Sequence, residues 1–154
     1  MQLPYRKSPR IPGYDYSTPN YYFITICTYN KSCIFGNPTE LNRFGKIAED
    51  YIGKIPIYYT NIGIDKFVVM PNHIHVILSV HGDGENNVIQ AVGQYKMAVT
   101  KQIHKINREI TVWQRSFYDH VIRNDRQYVK IWEYIQNNPL KWEEDCFYRN
   151  NQTD

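Results

Sequence analysis

Four stretches of the chain have the apolar, β-branched and aromatic character of buried strands. They are predicted at residues 21–29, 57–70, 73–80 and 117–123, with the second interrupted near Gly63. A tight-turn sequence, Pro-Asn, separates the second strand from the third, so these two are expected to form a hairpin.

Three other stretches have apolar residues spaced three and four apart, as in an amphipathic helix. They are predicted at residues 39–52, 87–106 and 124–138, and the last stops before Pro139 because proline disfavours a continuing helix. Asn86 or Asn87 is expected to cap the second helix, and Asn124 the third. The resulting order, βαββαβ plus a C-terminal helix, predicts an α+β, ferredoxin-like fold: an antiparallel four-stranded sheet with two helices on one face.

The length of 154 residues suits a single domain with one core. We divide it into an irregular basic and aromatic arm at 1–20, the domain itself at 21–142, and a polar, frayed tail at 143–154. No apolar run approaches the roughly 18 residues of a membrane span, and no signal peptide is expected. The three cysteines are odd in number and lack zinc-ribbon spacing, which favours reduced thiols in a cytoplasmic protein.

The net charge of +3 permits a polyanionic partner without proving one. One face of the second predicted helix and the residues after it carry no carboxylate, only Gln90, Gln94, Lys101, Lys105 and Arg108. That face can contact the phosphates along a nucleic-acid backbone, or it can simply be a solvated polar surface. The N-terminal arm contributes Arg6, Lys7 and Arg10, which either contact phosphates or belong to a disordered segment.

Two histidines one residue apart stand out in the third strand. Because strand side chains alternate between faces, His73 and His75 are expected to point one way and Ile74 the other. Two imidazoles on one face form half of a metal site. The alternative is a pair of histidines that only make hydrogen bonds.

Two polar residues flank the apolar stripe of the last helix. Tyr134 and Asn138 are four apart and therefore share one flank. Taken alone, Tyr134 can be a packing residue with a hydrated hydroxyl, and Asn138 a residue that ends the helix.

Taken together, four groups of residues resemble the single-tyrosine transposases of the HUH superfamily, in the branch of REP-associated tyrosine transposases. The groups are residues 13–17 (GYDYS) with 22–28 (YFITICT), then 70–75 (MPNHIH), 113–123 (WQRSFYDHVIR) and 134–139 (YIQNNP). They occur in the family's order and spacing and cover nearly the whole chain. The resemblance also implies a ferredoxin-like fold.

The resemblance implies a DNA endonuclease and strand transferase that acts on single-stranded or hairpin DNA. His73 and His75 match the pair that binds a divalent metal, Mg²⁺ or Mn²⁺, and Tyr134 matches the nucleophile. Asn138 matches the polar third ligand, a position that is usually Gln in the related insertion-sequence branch. The predicted DNA contacts are Arg6, Lys7, Arg10, Lys101, Lys105, Arg108, Arg115, His120 and Arg123. The expected partner is DNA, the expected state is a monomer or a homodimer, and no membrane partner is expected.

Two other functions remain open from the sequence. One is a catalytically silent nucleic-acid-binding domain of the same fold. The other is a metal-dependent nuclease that forms no covalent intermediate, in which Tyr134 only supports the site.

Overall fold

A computed structural model describes residues 10–82, 86–145 and 147–149 of the chain. The strands are β1 (Asn20–Cys27), β2 (Gly36–Asn37), β3 (Glu40–Leu41), β4 (Ile62–Met70), β5 (His73–Val80) and β6 (Tyr118–Ile122). The α-helices are α1 (Arg43–Ile52), α2 (Ile55–Tyr58), α3 (Val88–His104) and α4 (Asp125–Asn137), with 3₁₀ helices at Tyr29–Lys31 and Asn138–Glu144.

The main sheet has the strand order β4-β5-β1-β6, and every neighbouring pair is antiparallel. This is the predicted ferredoxin-like arrangement. All residues of β5 are buried because the strand lies in the middle of the sheet and both faces are covered. In its register with β1, His73 lies opposite Cys27 and His75 opposite Thr25.

The two faces of the sheet carry different helices. Ile74, Val76 and Leu78 of β5 pack with residues of α1 and α3 in the larger core cluster. The smaller cluster lies on the other face and contains Phe23, Ile77, Ile122, Ile131 and Ile135. Ile131 and Ile135 of α4 are 3% and 1% exposed, and burying such a side chain contributes about 1.5–3 kcal/mol. The C-terminal helix is therefore held on the face toward which His73 and His75 point.

Local caps define the starts of the long helices. The Asn87 side chain accepts a hydrogen bond from the backbone amide of Gln90. In turn, the Gln90 side chain accepts one from the backbone amide of Asn87. Asn124 likewise accepts from the Gln127 amide at the start of α4. These side chains satisfy amides that have no partner within the first helical turn, as the sequence predicted.

The start predicted for the first helix, at residue 39, is wrong. Residues 40–41 form β3, which pairs with β2 through a turn at residues 38–39. The helix begins after Asn42, whose side chain accepts a hydrogen bond from the Gly45 amide. An asparagine cap outweighed the weaker Thr-Glu signal three residues earlier.

The second predicted strand also begins later than expected. Residues 55–58 form α2, in whose first turn Pro56 is favoured by its restricted φ. The strand irregularity lies between Ile64 and Lys66, near Gly63 as predicted. Gly63 itself packs closely on the neighbouring strand, because a Cβ there would lie 2.8 Å from Ser79 Oγ.

The chain does not leave the domain after α4. It continues directly into the 3₁₀ helix Asn138–Glu144, with Pro139 in the first turn, where no amide is needed. The residues beyond Trp142 were expected to be frayed, but Asp145 and Phe147 are 8% and 5% exposed. Residues 150–154 of the predicted tail lie outside the described residues. In the described part of the chain, no helix has the length and apolar character needed to span a membrane.

Candidate metal and nucleophile site

The turn at residues 71–72 delivers two imidazoles to the beginning of β5. The ring centroids of His73 and His75 are 4.5 Å apart, and neither side chain is exposed to solvent. The strand period of two places both rings on one face of the sheet, as predicted. The structure shows that α4 covers this face.

Asn72 determines which nitrogen of His73 carries the proton. Its amide nitrogen donates to the carbonyl oxygens of Lys31, at 3.0 Å, and Phe147, at 2.7 Å. These two bonds orient the amide so that its oxygen faces His73 Nδ1 at 2.8 Å. A carbonyl oxygen can only accept, so Nδ1 is the donor, and in the neutral ring Nε2 then carries a lone pair.

The second imidazole is held by a buried hydroxyl. Thr25 Oγ1 lies 2.8 Å from His75 Nδ1. Burial lowers the pKa of His75 well below its ordinary value, and His73 lowers it further, while Asp145 opposes the shift. His75 is therefore neutral near pH 7. Nε2 of His73 and Nε2 of His75 are both buried and have no hydrogen-bond partner among the described residues.

The C-terminal segment brings a carboxylate to the two imidazoles. Asp145 Oδ2 lies 3.6 Å from His73 Nε2, and the candidate ligand atoms of His73, His75 and Asp145 all lie within 4.8 Å of one another. Asp145 also accepts hydrogen bonds from Asn138 Nδ2 at 2.7 Å and from the Phe147 amide at 2.8 Å. Burial alone raises the pKa of the Asp145 carboxyl, but the interactions with His73, Phe147 and Asn138 outweigh it and hold the pKa below its ordinary value.

Sequence reasoning missed Asp145 because it lies in a segment predicted to be a frayed polar tail. One available signal was the aromatic residues around the start of that segment, since Trp142 directly precedes the predicted tail and Phe147 lies within it. In the structure their rings lie 6.0 Å and 4.7 Å from the ring of His73.

Tyr134 lies on α4 beside the second imidazole. The centroid of its ring is 5.2 Å from that of His75 and 6.4 Å from that of Phe23, and the side chain is half-buried. The same helix is anchored one and a half turns earlier, where the Tyr128 hydroxyl donates to Asp65 Oδ2 at 2.7 Å. Burial and this hydrogen bond raise the pKa of Tyr128 to about 12. Of these two tyrosines of α4, Tyr134 is the one whose ring lies against a histidine of the site.

Asn138 lies at the junction between α4 and the 3₁₀ helix and is buried. Its amide nitrogen is engaged by Asp145, and its oxygen is buried without a hydrogen-bond partner among the described residues. The structure thus brings Asn138 to the site through Asp145. Direct metal ligation by Asn138 stays a prediction.

The predicted DNA contacts are distributed over the surface. Arg6 and Lys7 lie outside the described residues. Among the predicted contacts, Lys101, Lys105, Arg108, Arg115 and Arg123 are exposed, and His120 is partly buried. Arg10 donates to the Phe117 carbonyl at 2.9 Å and to Asp119 Oδ1 at 3.0 Å, and its guanidinium lies 3.6 Å from the Phe117 ring centroid. Arg10 therefore fastens the arm to the protein, and DNA contact by any of these residues stays a prediction.

Comparison with known proteins supports a single family. The model of the family described as "Transposase IS200 like" matches residues 15–138. A protein of Haemophilus influenzae without a characterised function is 36% identical over 168 aligned positions, which cover 94% of this chain and 93% of that protein. A second protein of that organism, provisionally named a REP-associated tyrosine transposase, is 27% identical over 136 positions, covering 82% of this chain and 74% of its own length.

Two solved structures share the fold. A REP-associated tyrosine transposase bound to a REP hairpin has a TM-score of 0.66 and 22% identity, covering 91% of this chain and 74% of that one. A protein of Deinococcus radiodurans R1, provisionally described as a transposase, has a TM-score of 0.56 and 16% identity, covering 83% of this chain and 95% of its own. At such identities these likenesses concern the fold. From the family match and the shared fold, the chain belongs to the IS200-like family of single-tyrosine transposases, with REP-associated tyrosine transposases among its relatives.

Proposed function

We propose that this protein cuts and joins single-stranded DNA next to a hairpin, with Tyr134 as nucleophile and a divalent metal at His73 and His75. One observation carries the proposal. Two buried imidazole nitrogens, which have no hydrogen-bond partner among the described residues, lie beside a half-buried tyrosine whose ring is 5.2 Å from one of the imidazoles.

The chemistry of these nitrogens fits a metal. A buried polar atom without a partner costs about 1–3 kcal/mol, which a bound cation would offset. Asn72 contacts Nδ1 of His73, and Thr25 contacts Nδ1 of His75, so each ring is held through the nitrogen other than Nε2. Residues that orient metal-binding histidines make contacts of this kind. Imidazole nitrogens together with oxygen ligands suit Mn²⁺ better than Mg²⁺, which prefers a shell of oxygens. Both ions are candidates.

The proposed step exchanges one phosphodiester for another. The Tyr134 oxygen forms a bond to phosphorus, and the bond from phosphorus to the 3′ oxygen breaks. The phenolic proton passes to water, and the departing 3′ oxygen takes a proton from water. The products are a 5′-phosphotyrosine and a free 3′-OH. A bound divalent cation supplies positive charge that stabilises the transition state and favours the phenolate. Attack by another 3′-OH on the phosphotyrosine reverses the step and joins strands without ATP.

Access of DNA to this site requires movement of the covering residues. Both histidines have no exposed surface, and the rings of Trp142 and Phe147 lie close to that of His73. A phosphate can approach the imidazoles when the rings of Trp142 and Phe147 move aside. We therefore assign this conformation, with both histidines covered, to the protein without bound DNA.

The proposed substrate follows from the required geometry. An attacking oxygen must come within about 3–3.5 Å of phosphorus and in line with the leaving oxygen. Unpaired backbone can adopt that arrangement more easily than stacked duplex. The exposed Lys101, Lys105 and Arg108 lie along or just after α3 and can hold a stem through its phosphates. The family relative solved with a REP hairpin supports a hairpin as the DNA partner.

The test uses end-labelled oligonucleotides that carry hairpins and single-stranded flanks from the DNA around the coding sequence. We expect a denaturant-stable protein–DNA adduct and a cut in the flank with Mn²⁺ or Mg²⁺, and neither product in EDTA. His73→Ala and His75→Ala should each abolish the adduct while retaining DNA binding in EDTA, since affinity comes mainly from backbone contacts.

Three results would contradict the proposal in different ways. Full cleavage in EDTA, or full activity of either histidine variant, would exclude the metal site. Metal-dependent cleavage without an adduct would indicate a nuclease without a covalent intermediate. Equal cleavage of blunt duplex would exclude the preference for single strands.

A further inference from the structure

We propose that Asp145 is the third protein ligand of the metal, so that the ion ties the C-terminal segment to β5. This inference rests on the proposed function, because it adds a residue to the same metal site. It concerns a carboxylate that the sequence comparison does not assign to the site.

The separation of the two nearest ligand atoms supports shared coordination. Asp145 Oδ2 and His73 Nε2 are 3.6 Å apart, beyond the range of about 2.7–3.2 Å for a hydrogen bond. Two adjacent ligands on one cation, with bonds of about 2.1–2.3 Å, are themselves about 3.0–3.6 Å apart. The candidate ligand atoms of His73, His75 and Asp145 all lie within 4.8 Å of one another, which groups them around one common point.

The contacts of the other ring nitrogens leave both Nε2 atoms available to a ligand. Asn72 Oδ1 lies 2.8 Å from Nδ1 of His73, and Thr25 Oγ1 lies 2.8 Å from Nδ1 of His75. Nε2 of each ring is buried and has no hydrogen-bond partner among the described residues. A cation bound by both Nε2 atoms would therefore lie beside the Asp145 carboxylate.

The surrounding bonds hold the carboxylate in place without neutralising it. Asn138 Nδ2 donates to Oδ2 and the Phe147 amide donates to Oδ1, and both donors are uncharged. The residue is only 8% exposed, so water does little to stabilise its charge. We assign Asn138 the role of positioning Asp145, and Asp145 the role of ligand.

The experiment measures Mn²⁺ binding to the full chain by calorimetry, without DNA. Asp145→Asn should weaken binding at least tenfold, because it replaces an anionic ligand with an amide of the same shape. Glu144→Gln is the matched control, since Glu144 is the exposed neighbour, and it should stay within twofold of wild type. Asn138→Leu should weaken binding less than Asp145→Asn, because it removes only a supporting hydrogen bond.

A second measurement on the wild-type protein does not depend on how the variants fold. Hydrogen exchange of the amides at residues 142–149 should slow on addition of Mn²⁺, because the ion joins this segment to β5. A thermal melt in EDTA confirms that each variant used for calorimetry is folded.

The outcomes separate this inference from the proposed function. If His73→Ala and His75→Ala lose Mn²⁺ binding but Asp145→Asn stays within twofold of wild type, the inference is overturned and the histidine site stands. Weaker binding by Asn138→Leu than by Asp145→Asn, or unchanged exchange at 142–149 in the wild type, also overturns it. If wild-type protein binds no Mn²⁺, both the inference and the proposed metal fail.

Discussion

Replacing Tyr134 with phenylalanine removes the proposed nucleophile and very little else. The ring and its contacts with His75 and Phe23 are retained, and only the half-buried hydroxyl is lost. The net contribution of one hydrogen-bonding group is about 0.5–1.5 kcal/mol. For a chain of this size, 1 kcal/mol corresponds to a shift of about 2–4 °C in Tm. We therefore expect a folded variant with a Tm within a few degrees of wild type and no covalent adduct.

The assay compares three proteins on the same labelled hairpin substrate. Wild type, Tyr134→Phe and Tyr128→Phe are incubated with Mn²⁺ and separated on denaturing gels. Tyr128→Phe is the matched control, because it removes a hydroxyl from the same helix, one that donates to Asp65. Because the Tyr128 hydroxyl donates to Asp65 and its ring packs on Tyr21 rather than on a histidine of the site, this variant should still form the adduct.

Binding is measured separately, by gel shift in EDTA. Both variants should bind the hairpin within about threefold of wild type, since phosphate contacts dominate affinity. An adduct with Tyr134→Phe would refute the assignment of the nucleophile. Loss of the adduct with Tyr128→Phe alone would transfer the role to that residue.

Three other perturbations test the support of the site, the DNA surface and the helix that carries Tyr134. Asn72→Ala leaves His73 Nδ1 and two carbonyls without their partner, so we expect a loss of about 2–4 kcal/mol in urea denaturation without metal. A loss below about 1 kcal/mol would show that these bonds do not hold the site together. The double charge reversal Lys101→Glu and Lys105→Glu should weaken binding of many sequences alike and leave the cut position unchanged, as followed by gel shift and by mapping the cut. A moved cut would mean that these lysines read sequence. Asn124→Ala removes the cap of α4 and should lower stability by about 1 kcal/mol, and an unchanged unfolding midpoint would contradict that role of the cap.

The segment after α4 connects these expectations. Trp142 and Phe147 cover His73, and Asp145 approaches its Nε2 atom. The same short segment therefore shields the imidazoles and supplies a carboxylate to them. Variants in this segment should change metal binding and DNA access together, whereas variants on α3 should change DNA affinity alone.

Local sequence determined much of the fold and the orientation of the histidine pair. The alternation of residues 73–80 placed His73 and His75 on one face, because side-chain direction in a strand depends only on position along it. The caps at Asn87 and Asn124 likewise involve bonds to amides three residues away. Such local features form regardless of where the segment packs in the fold. The element order they defined was sufficient to predict the ferredoxin-like sheet that the structure shows.

Where the sequence prediction was wrong, two local signals competed or a segment depended on remote contacts. The helix start predicted at residue 39 was wrong because residues 40–41 pair with Gly36–Asn37 in a hairpin, and the helix begins after Asn42. Asp145 is 72 residues from His73 in the chain, and no spacing rule relates the two. Only the packing of α4 and its 3₁₀ extension against the sheet brings the carboxylate to the imidazoles. The orientation of Asn72 also needed tertiary structure, since one of its two acceptors is the carbonyl of Phe147. Sequence periodicity determines the face on which a side chain lies, but the partner it meets there depends on long-range packing.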